Sequence, residues 1–195
     1  MLYPQLSSKR IILASKSPRR LELVRGLEIE PEVVIREVDE SFPSSVKGPA
    51  VAEFVTLAKA QAFNDILTKD DVIITGDTVV LLGNDVLEKP KDRAEAITML
   101  KRLSGNTHTV ASGVAITTLQ EGTRCMVDTC EVEFNNLSDQ TIEHYVDHYK
   151  PYDKAGSYGV QDLIGYVGVK SLKGSFYTVM GLPVHLLHEM LSDIK

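Results

Sequence analysis

The sequence predicts an α/β fold on a mixed sheet, and three observations carry that reading. β-branched apolar runs alternate with capped amphipathic segments. Short turns join two pairs of neighbouring runs as hairpins. The 195 residues suffice for a sizeable core without staples. Residues 10–14 read as a short apolar strand, after which Ser17-Pro18 opens a helix that stops at Gly26. Residues 32–36 read as a second strand. Past Gly48-Pro49, residues 50–67 read as an amphipathic helix with Val51, Val55, Ala58, Ala62 and Ile66 on one face. Residues 71–82 form a buried strand, turned at Gly83-Asn84-Asp85 into a strand over 86–89. Asp92 caps a helix ending near Gly105, and Gln120-Glu121-Gly122 joins long strands over 108–118 and 123–134. Ser138 caps a helix to about Tyr149. Strands over 166–170 and 176–180 follow a glycine-containing stretch, and a last helix starts after Gly181-Leu182-Pro183.

No repeat, low-complexity tract or linker divides the chain, so residues 1–195 are expected to form a single domain, with room for two lobes around a cleft. A net charge of −6 argues against a nucleic-acid polymer as partner, yet a small phosphorylated ligand needs only a local group of cations. Cys125 and Cys130 stand at an odd offset in one strand, on opposite faces, so no mutual disulfide is expected. Unpaired thiols fit a reducing compartment. No leader-like or membrane-spanning run is seen, and a cytoplasmic, membrane-free protein is the expectation.

Chemistry concentrates in a few segments. Lys16, Arg19 and Arg20 crowd a helix N-terminus, where cations are unfavourable by about 0.3–1 kcal/mol each. Either an anion sits among those groups and the serine hydroxyls, or the segment is a solvated basic turn. No Walker loop is present. Asp77, inside the apolar strand at Thr75-Gly76-Asp77-Thr78, is costly there unless paired, hydrogen-bonded or metal-bound. It suits a metal ligand or a proton acceptor, or else merely bonds a neighbouring loop. A two-residue hairpin turn puts Lys89 opposite Thr78, a three-residue turn opposite Val79; either sets Glu88-Lys89-Pro90 beside Asp77. Lys59 borders the apolar stripe of its helix, where it snorkels or meets a phosphate. Asp39-Glu40 offers a further carboxylate or a charged loop. In the polar loop of residues 153–161, Gln161 carries a donor and an acceptor able to match a nucleobase edge. His144 and His148 fit an exposed helical face and His185 and His188 fit packing, better than either pair fits zinc.

Taken together these segments resemble the Maf family of nucleotide pyrophosphatases. The resemblance rests on Leu13-Ala14-Ser15-x-Ser17-Pro18-Arg19-Arg20, Asp39-Glu40, Ala58-Lys59-Ala60, Gly76-Asp77-Thr78, Glu88-Lys89-Pro90 and Leu103-Ser104-Gly105. Asp153-Lys154-Ala155-Gly156-x-Tyr158-Gly159-x-Gln161 and Gly181-Leu182-Pro183 complete it. It implies an elongated mixed sheet flanked by helices, two lobes around a cleft, similar to the inosine triphosphate pyrophosphatases. The implied activity is hydrolysis of a nucleoside triphosphate between the α and β phosphates with a divalent cation, Mg²⁺ or Mn²⁺, whose ligands stay unassigned. Asp77 is then the proton acceptor for the attacking water, while Ser15, Arg20, Glu40, Lys59 and Lys89 line the phosphate and metal region. Arg19, Thr78 and Gln161 are similar to the dTTP/UTP branch, whereas the 7-methyl-GTP branch has Trp, Gln and Glu at those positions. Pyrimidine nucleotides, modified ones included, are the expected substrates. A 7-methyl-GTP pyrophosphatase and a non-catalytic nucleotide-binding regulator of cell division are the alternatives. The family's members often form homodimers.

Overall fold

The computed structural model describes residues 2–194. Its sheet has seven strands, ordered β2-β1-β3-β5-β6-β7 with β4 paired to β3. They are β1 (Arg10–Leu13), β2 (Glu32–Val33), β3 (Asp71–Leu82), β4 (Asp85–Leu87), β5 (Thr107–Thr118), β6 (Gly122–Phe134) and β7 (Val169–Lys173). β1 runs parallel to β2 and β3, whereas β3–β4 and β6–β7 are antiparallel, so the sheet is mixed as expected. The chain divides into two compact units, Met1–Asp77 with Ser112–Asp128 and Gly181–Lys195, and Thr78–Ala111 with Thr129–Met180.

The first unit holds α1 (Pro18–Arg25), α2 (Ala50–Gln61) and the last helix, Val184–Ser192. Ile12, Phe63 and Ile73 form a buried cluster against which Val34, Ala62, Ile66 and Leu67 pack. At the opposite end of the parallel pair, buried Asp71 takes Arg10 Nε at 2.7 Å and the Thr68 N–H at 2.8 Å. Those bonds hold its carboxyl down at about 2. Helix α2 lies directly on the sheet. A Cβ at Gly113 would stand 2.5 Å from Thr56 Oγ1, and Thr75 Oγ1 donates to the Thr56 carbonyl at 3.2 Å. The N-terminal segment joins the last helix through Tyr3 and His188, 2.8 Å apart.

The second unit holds α3 (Arg93–Leu103), α4 (Asp139–Tyr149), α5 (Leu163–Gly168) and α6 (Phe176–Met180); the last helix of the chain is therefore α7. Arg93 forks onto Asp147 at 2.6 and 3.0 Å and fastens α3 to α4. Beneath them His108, Phe134 and Tyr158 pack edge to face, with His108 Nε2 2.7 Å from the Tyr158 hydroxyl. Burial drives the His108 imidazole down to about 4, so it is neutral at physiological pH.

Besides the strand expected over 86–89, which spans Asp85–Leu87, four elements depart from the sequence reading. The strand expected over 32–36 ends at Val33, because Arg36 turns away to the Ala62 carbonyl, 2.5 Å from its Nη1, and to Asp65. That same bond takes up a carbonyl at the end of α2, which stops at Gln61 instead of Leu67, although Ala62 and Ile66 still face the core. The strand expected over 166–170 is shifted: α5 occupies Leu163–Gly168 and β7 starts at Val169. Residues 176–180 are helix α6 and not a strand, despite their aromatic and β-branched composition. Gly174, at φ 137° and placed where a Cβ would stand 2.9 Å from Cys130 Cα, turns the chain out of β7 just before them. Cys125 and Cys130 are both free thiols. Among the described residues no helix is long and apolar enough to cross a membrane.

Candidate active site

The register Leu13↔Ile74 fixes where β1 ends along parallel β3. Ser15 and Asp77 both lie past that point, at the carboxyl ends of the pair, where α/β sheets characteristically bind ligands. Ser17 caps α1, its Oγ accepting from the Arg20 N–H at 3.4 Å, with Pro18 at the first helical position. Ser15 Oγ accepts the Ser17 N–H at 3.2 Å and Arg20 Nη1 at 3.3 Å. Arg20 Nε donates to the Gly181 carbonyl at 2.9 Å. The guanidinium is therefore locked by the turn on one side and by the start of the last segment on the other. Burial lowers the Arg20 pKa, Asp77 raises it, and neighbouring Arg19 and Glu40 act down and up in turn. A half-buried cation under those opposing influences is suited to an anionic ligand.

Asp77 is 8% exposed, next to Gly76. A Cβ on Gly76 would stand 2.8 Å from the Gly113 carbonyl, so only glycine fits against β5 here, with Arg20 Nε at ordinary contact distance from the same point. Lys59, one helical turn beyond Thr56 on α2, is carried to the same place by the close α2–β5 contact. Its Nζ is 2.7 Å from Asp77 Oδ1 and 3.0 Å from Glu40 Oε1. Of the two acids after β2, Glu40 joins the site, while Asp39 Oδ1 accepts the Ser41 N–H at 2.9 Å and shapes the loop. Ser15, Arg20, Glu40, Lys59 and Asp77 are thus one constellation within the first unit, with Arg19 beside it.

The second unit carries Thr78, Lys89 and Gln161. The hairpin pairs Leu82↔Asp85 and Val80↔Leu87, which selects the two-residue turn at Gly83-Asn84. Continued beyond its last pair, that register sets Lys89 level with Thr78. The Glu88 carbonyl accepts the Gly156 N–H at 3.2 Å, tying the Lys89 segment to the loop that bears Gln161. Gly156, at φ 67°, lies against Val80, where a Cβ would meet methyl carbons at 3.0 Å. Gln161 Oε1 is buried and has no hydrogen-bond partner.

Sequence reasoning missed the role of the Gly181 carbonyl, and it missed Tyr145 and Asp162, which fasten the Gln161 loop. Gly181-Leu182-Pro183 stands out as a motif without showing which atom it offers. Tyr145 carries no local signal, being one more apolar-face residue of a helix. Among the described residues no three His, Cys, Asp or Glu side chains gather as a metal centre. Asp77 and Glu40, both directed at the Lys59 ammonium, nevertheless match a hard cation that takes one or two protein carboxylates and completes its shell with phosphate oxygens and water.

Comparison with known proteins places the chain in a family. The dTTP/UTP pyrophosphatase of Bacteroides thetaiotaomicron is 45% identical over 190 residues, covering 97% of this chain and 98% of its own length. That of Porphyromonas gingivalis is 44% identical over 191 residues and that of Flavobacterium psychrophilum 40% over 188, each covering 96% of both chains. Among solved structures, the Staphylococcus aureus Ham1 protein superposes with a TM-score of 0.57 at 16% identity, covering 96% of this chain and 100% of its own. A HAM1 protein from Coxiella burnetii gives 0.51 at 14%, covering 95% and 100%. These two share the fold. The family description Maf-like protein matches residues 10–194, and with relatives of such identity along nearly the whole length, the chain belongs to the Maf-like family.

Proposed function

We propose that this protein hydrolyses nucleoside triphosphates, dTTP and UTP foremost, to the nucleoside monophosphate and pyrophosphate. The observation that carries the reading is the Lys59 ammonium held between Asp77 and Glu40, at 2.7 and 3.0 Å, beside the locked Arg20 guanidinium. The names of the 40–45% identical relatives supply the substrate class. Asp77 accepts a proton from a water that attacks the α-phosphorus. The bond from that phosphorus to the bridging oxygen breaks, and pyrophosphate leaves with the electron pair. Lys59 keeps the Asp77 carboxylate aimed, and Arg20, Lys59 and Lys89 neutralise the phosphates. Asp77 and Glu40 would hold Mg²⁺ or Mn²⁺, which supplies charge neutralisation to the phosphoryl oxygens when bound. Arg19, Thr78 and Gln161 select the base. The free thiols Cys125 and Cys130 suit a reducing compartment such as the cytoplasm.

A panel of nucleoside triphosphates, with 7-methyl-GTP among them, assayed for pyrophosphate release with Mg²⁺ or Mn²⁺ tests this. The expected outcome is turnover of dTTP and UTP, reduced at least about 100-fold in Asp77→Asn. Undiminished turnover in that variant would remove Asp77 from the chemistry. Preference for 7-methyl-GTP would overturn the pyrimidine assignment.

A further inference from the structure

The loop between β2 and α2 brings Glu40 to Lys59 with little main chain to guide it. Val34 is still tied to the sheet, its N–H donating to the Leu13 carbonyl at 3.2 Å. The next closed turn begins at Pro43, whose carbonyl accepts the Val46 N–H at 2.9 Å. Residues 34–43 belong to no helix or strand. A largely exposed stretch of that length samples many conformations unless side chains fix it.

Two side chains fix it. At the base of the loop Arg36 grips the end of α2, donating to the Ala62 carbonyl at 2.5 Å and pairing with Asp65. Its guanidinium stands 5.3 Å from the centre of the Phe63 ring. Further along, Asp39 Oδ1 accepts the Ser41 N–H at 2.9 Å. That bond from a residue to the second one after it closes an Asx turn, and the residue enclosed by the turn is Glu40. The turn sets the main chain at Glu40, and with it the direction in which the side chain leaves. Glu40 Oε1 then meets Lys59 Nζ at 3.0 Å, and the same ammonium is 2.7 Å from Asp77 Oδ1. The loop is thus held on α2 at Ala62 and at Lys59, within one helical turn.

We propose that Asp39 is a positioning residue of the active site: its Asx turn sets Glu40 against Lys59 and so places the Glu40 carboxylate for the divalent cation, without Asp39 binding that cation itself. The inference rests on the reading of Glu40 given above. What the turn asks of residue 39 is a side-chain oxygen that accepts an N–H, and an amide oxygen serves as well as a carboxylate. A cation ligand, or a charge acting through space, needs the negative charge instead. Asparagine, of the same shape and neutral, therefore separates the two roles.

The test compares Asp39→Ala, Asp39→Asn, Glu40→Gln and the double variant of Asp39→Ala with Glu40→Gln, all in the full chain. Mn²⁺ binding is read by electron paramagnetic resonance in the presence of the α,β-methylene analogue of UTP, and pyrophosphate release from UTP is titrated with Mn²⁺. Loss of one exposed hydrogen bond corresponds to about a threefold to tenfold change. Asp39→Ala is expected to weaken Mn²⁺ binding by about that factor, with kcat at saturating Mn²⁺ within about twofold of wild type. Asp39→Asn is expected to bind Mn²⁺ within about twofold of wild type. Beside Glu40→Gln, the Asp39→Ala change is expected to cost nothing more, because it acts through Glu40. Undiminished binding in Asp39→Ala, an Asp39→Asn variant as weak as Asp39→Ala, or an equal effect with and without Glu40→Gln overturns the proposal. Should wild-type protein neither bind Mn²⁺ nor release pyrophosphate, the hydrolytic reading fails. The same four variants compared by urea midpoint then still decide the role of Asp39: non-additive shifts uphold its action through the Glu40–Lys59 pair, and additive shifts overturn it.

Discussion

At the scale of single residues, Lys59 links the helix to the chemistry. Its ammonium stands between two carboxylates, with the Lys59 and Asp77 side chains each little more than a tenth exposed. Removing it leaves Asp77 in β3 with an uncompensated charge, a loss of about 3–5 kcal/mol for a buried pair. Lys59→Met is therefore expected to lower both stability and activity, the latter by at least about 100-fold in kcat/KM, since the phosphate partner and the orientation of Asp77 go together. Lys59→Arg keeps the charge but places a wider, planar fork, so it is expected to recover stability more fully than turnover. Urea denaturation and pyrophosphate release on the same preparations check this. Equal recovery of both by Lys59→Arg would show that the charge alone is needed.

At the scale of elements, the site depends on how closely α2 lies on β5. A Cβ at Gly113 would meet Thr56 Oγ1 at 2.5 Å and the Ala52 carbonyl at 2.9 Å, so Gly113→Ala must push the helix outward and carry Lys59 with it. A cost of about 1–3 kcal/mol in stability is expected, with a fall in kcat/KM although no catalytic atom has changed. Full activity in a correctly folded Gly113→Ala variant would mean that α2 tolerates the shift. The same example shows what the sequence displays and what it hides. Asp77 was legible because an acid inside a β-branched run must have a partner, and Ser17-Pro18 because capping chemistry is local. Glu40 and Lys59 were visible as charges, but their meeting at Asp77 depends on a helix–sheet contact made by Gly113, Thr56 and Thr75, distant in sequence. The α5 and α6 helices were misjudged for a related reason. Residues 166–170 and 176–180 have the composition of strands, and the chain reversal at Gly174, which depends on its close approach to Cys130, separates β7 from the helix at 176–180. The bonds that the Tyr145 hydroxyl makes with Asp162 and the Gly159 N–H likewise leave no local trace.

At the scale of the whole molecule, each unit contains one buried titrating lock, and the two respond to acid in separate windows. In the second unit His108 is held neutral, with its pKa lowered to about 4 by burial. As pH falls below the ordinary value near 6.5, the unfolded chain takes up the proton first, so stability is lost between about 6.5 and 4, by about 3 kcal/mol in all. In the first unit Asp71 is ionised down to about 2 by its bonds to Arg10 and Thr68. Its contribution is complete above the unfolded carboxyl value of about 4 and is lost as pH falls from there through 2. Screening at the half-exposed Arg10 reduces it to about 1–2 kcal/mol. Acid weakening above pH 4 is therefore expected to come from the second unit, ahead of the first. Unfolding free energies from urea titrations at pH 7, 5 and 3.5 check the order. His108→Gln should lie below wild type at pH 7 and close most of that gap by pH 5, because it has no proton to gain. Asp71→Asn should stay a constant distance below wild type from pH 7 to 5 and begin to close on it only at pH 3.5. A His108→Gln deficit that is the same at pH 7 and pH 5 would show that the imidazole takes up its proton as readily in the folded protein as in the unfolded chain, and would return acid sensitivity to the carboxylates.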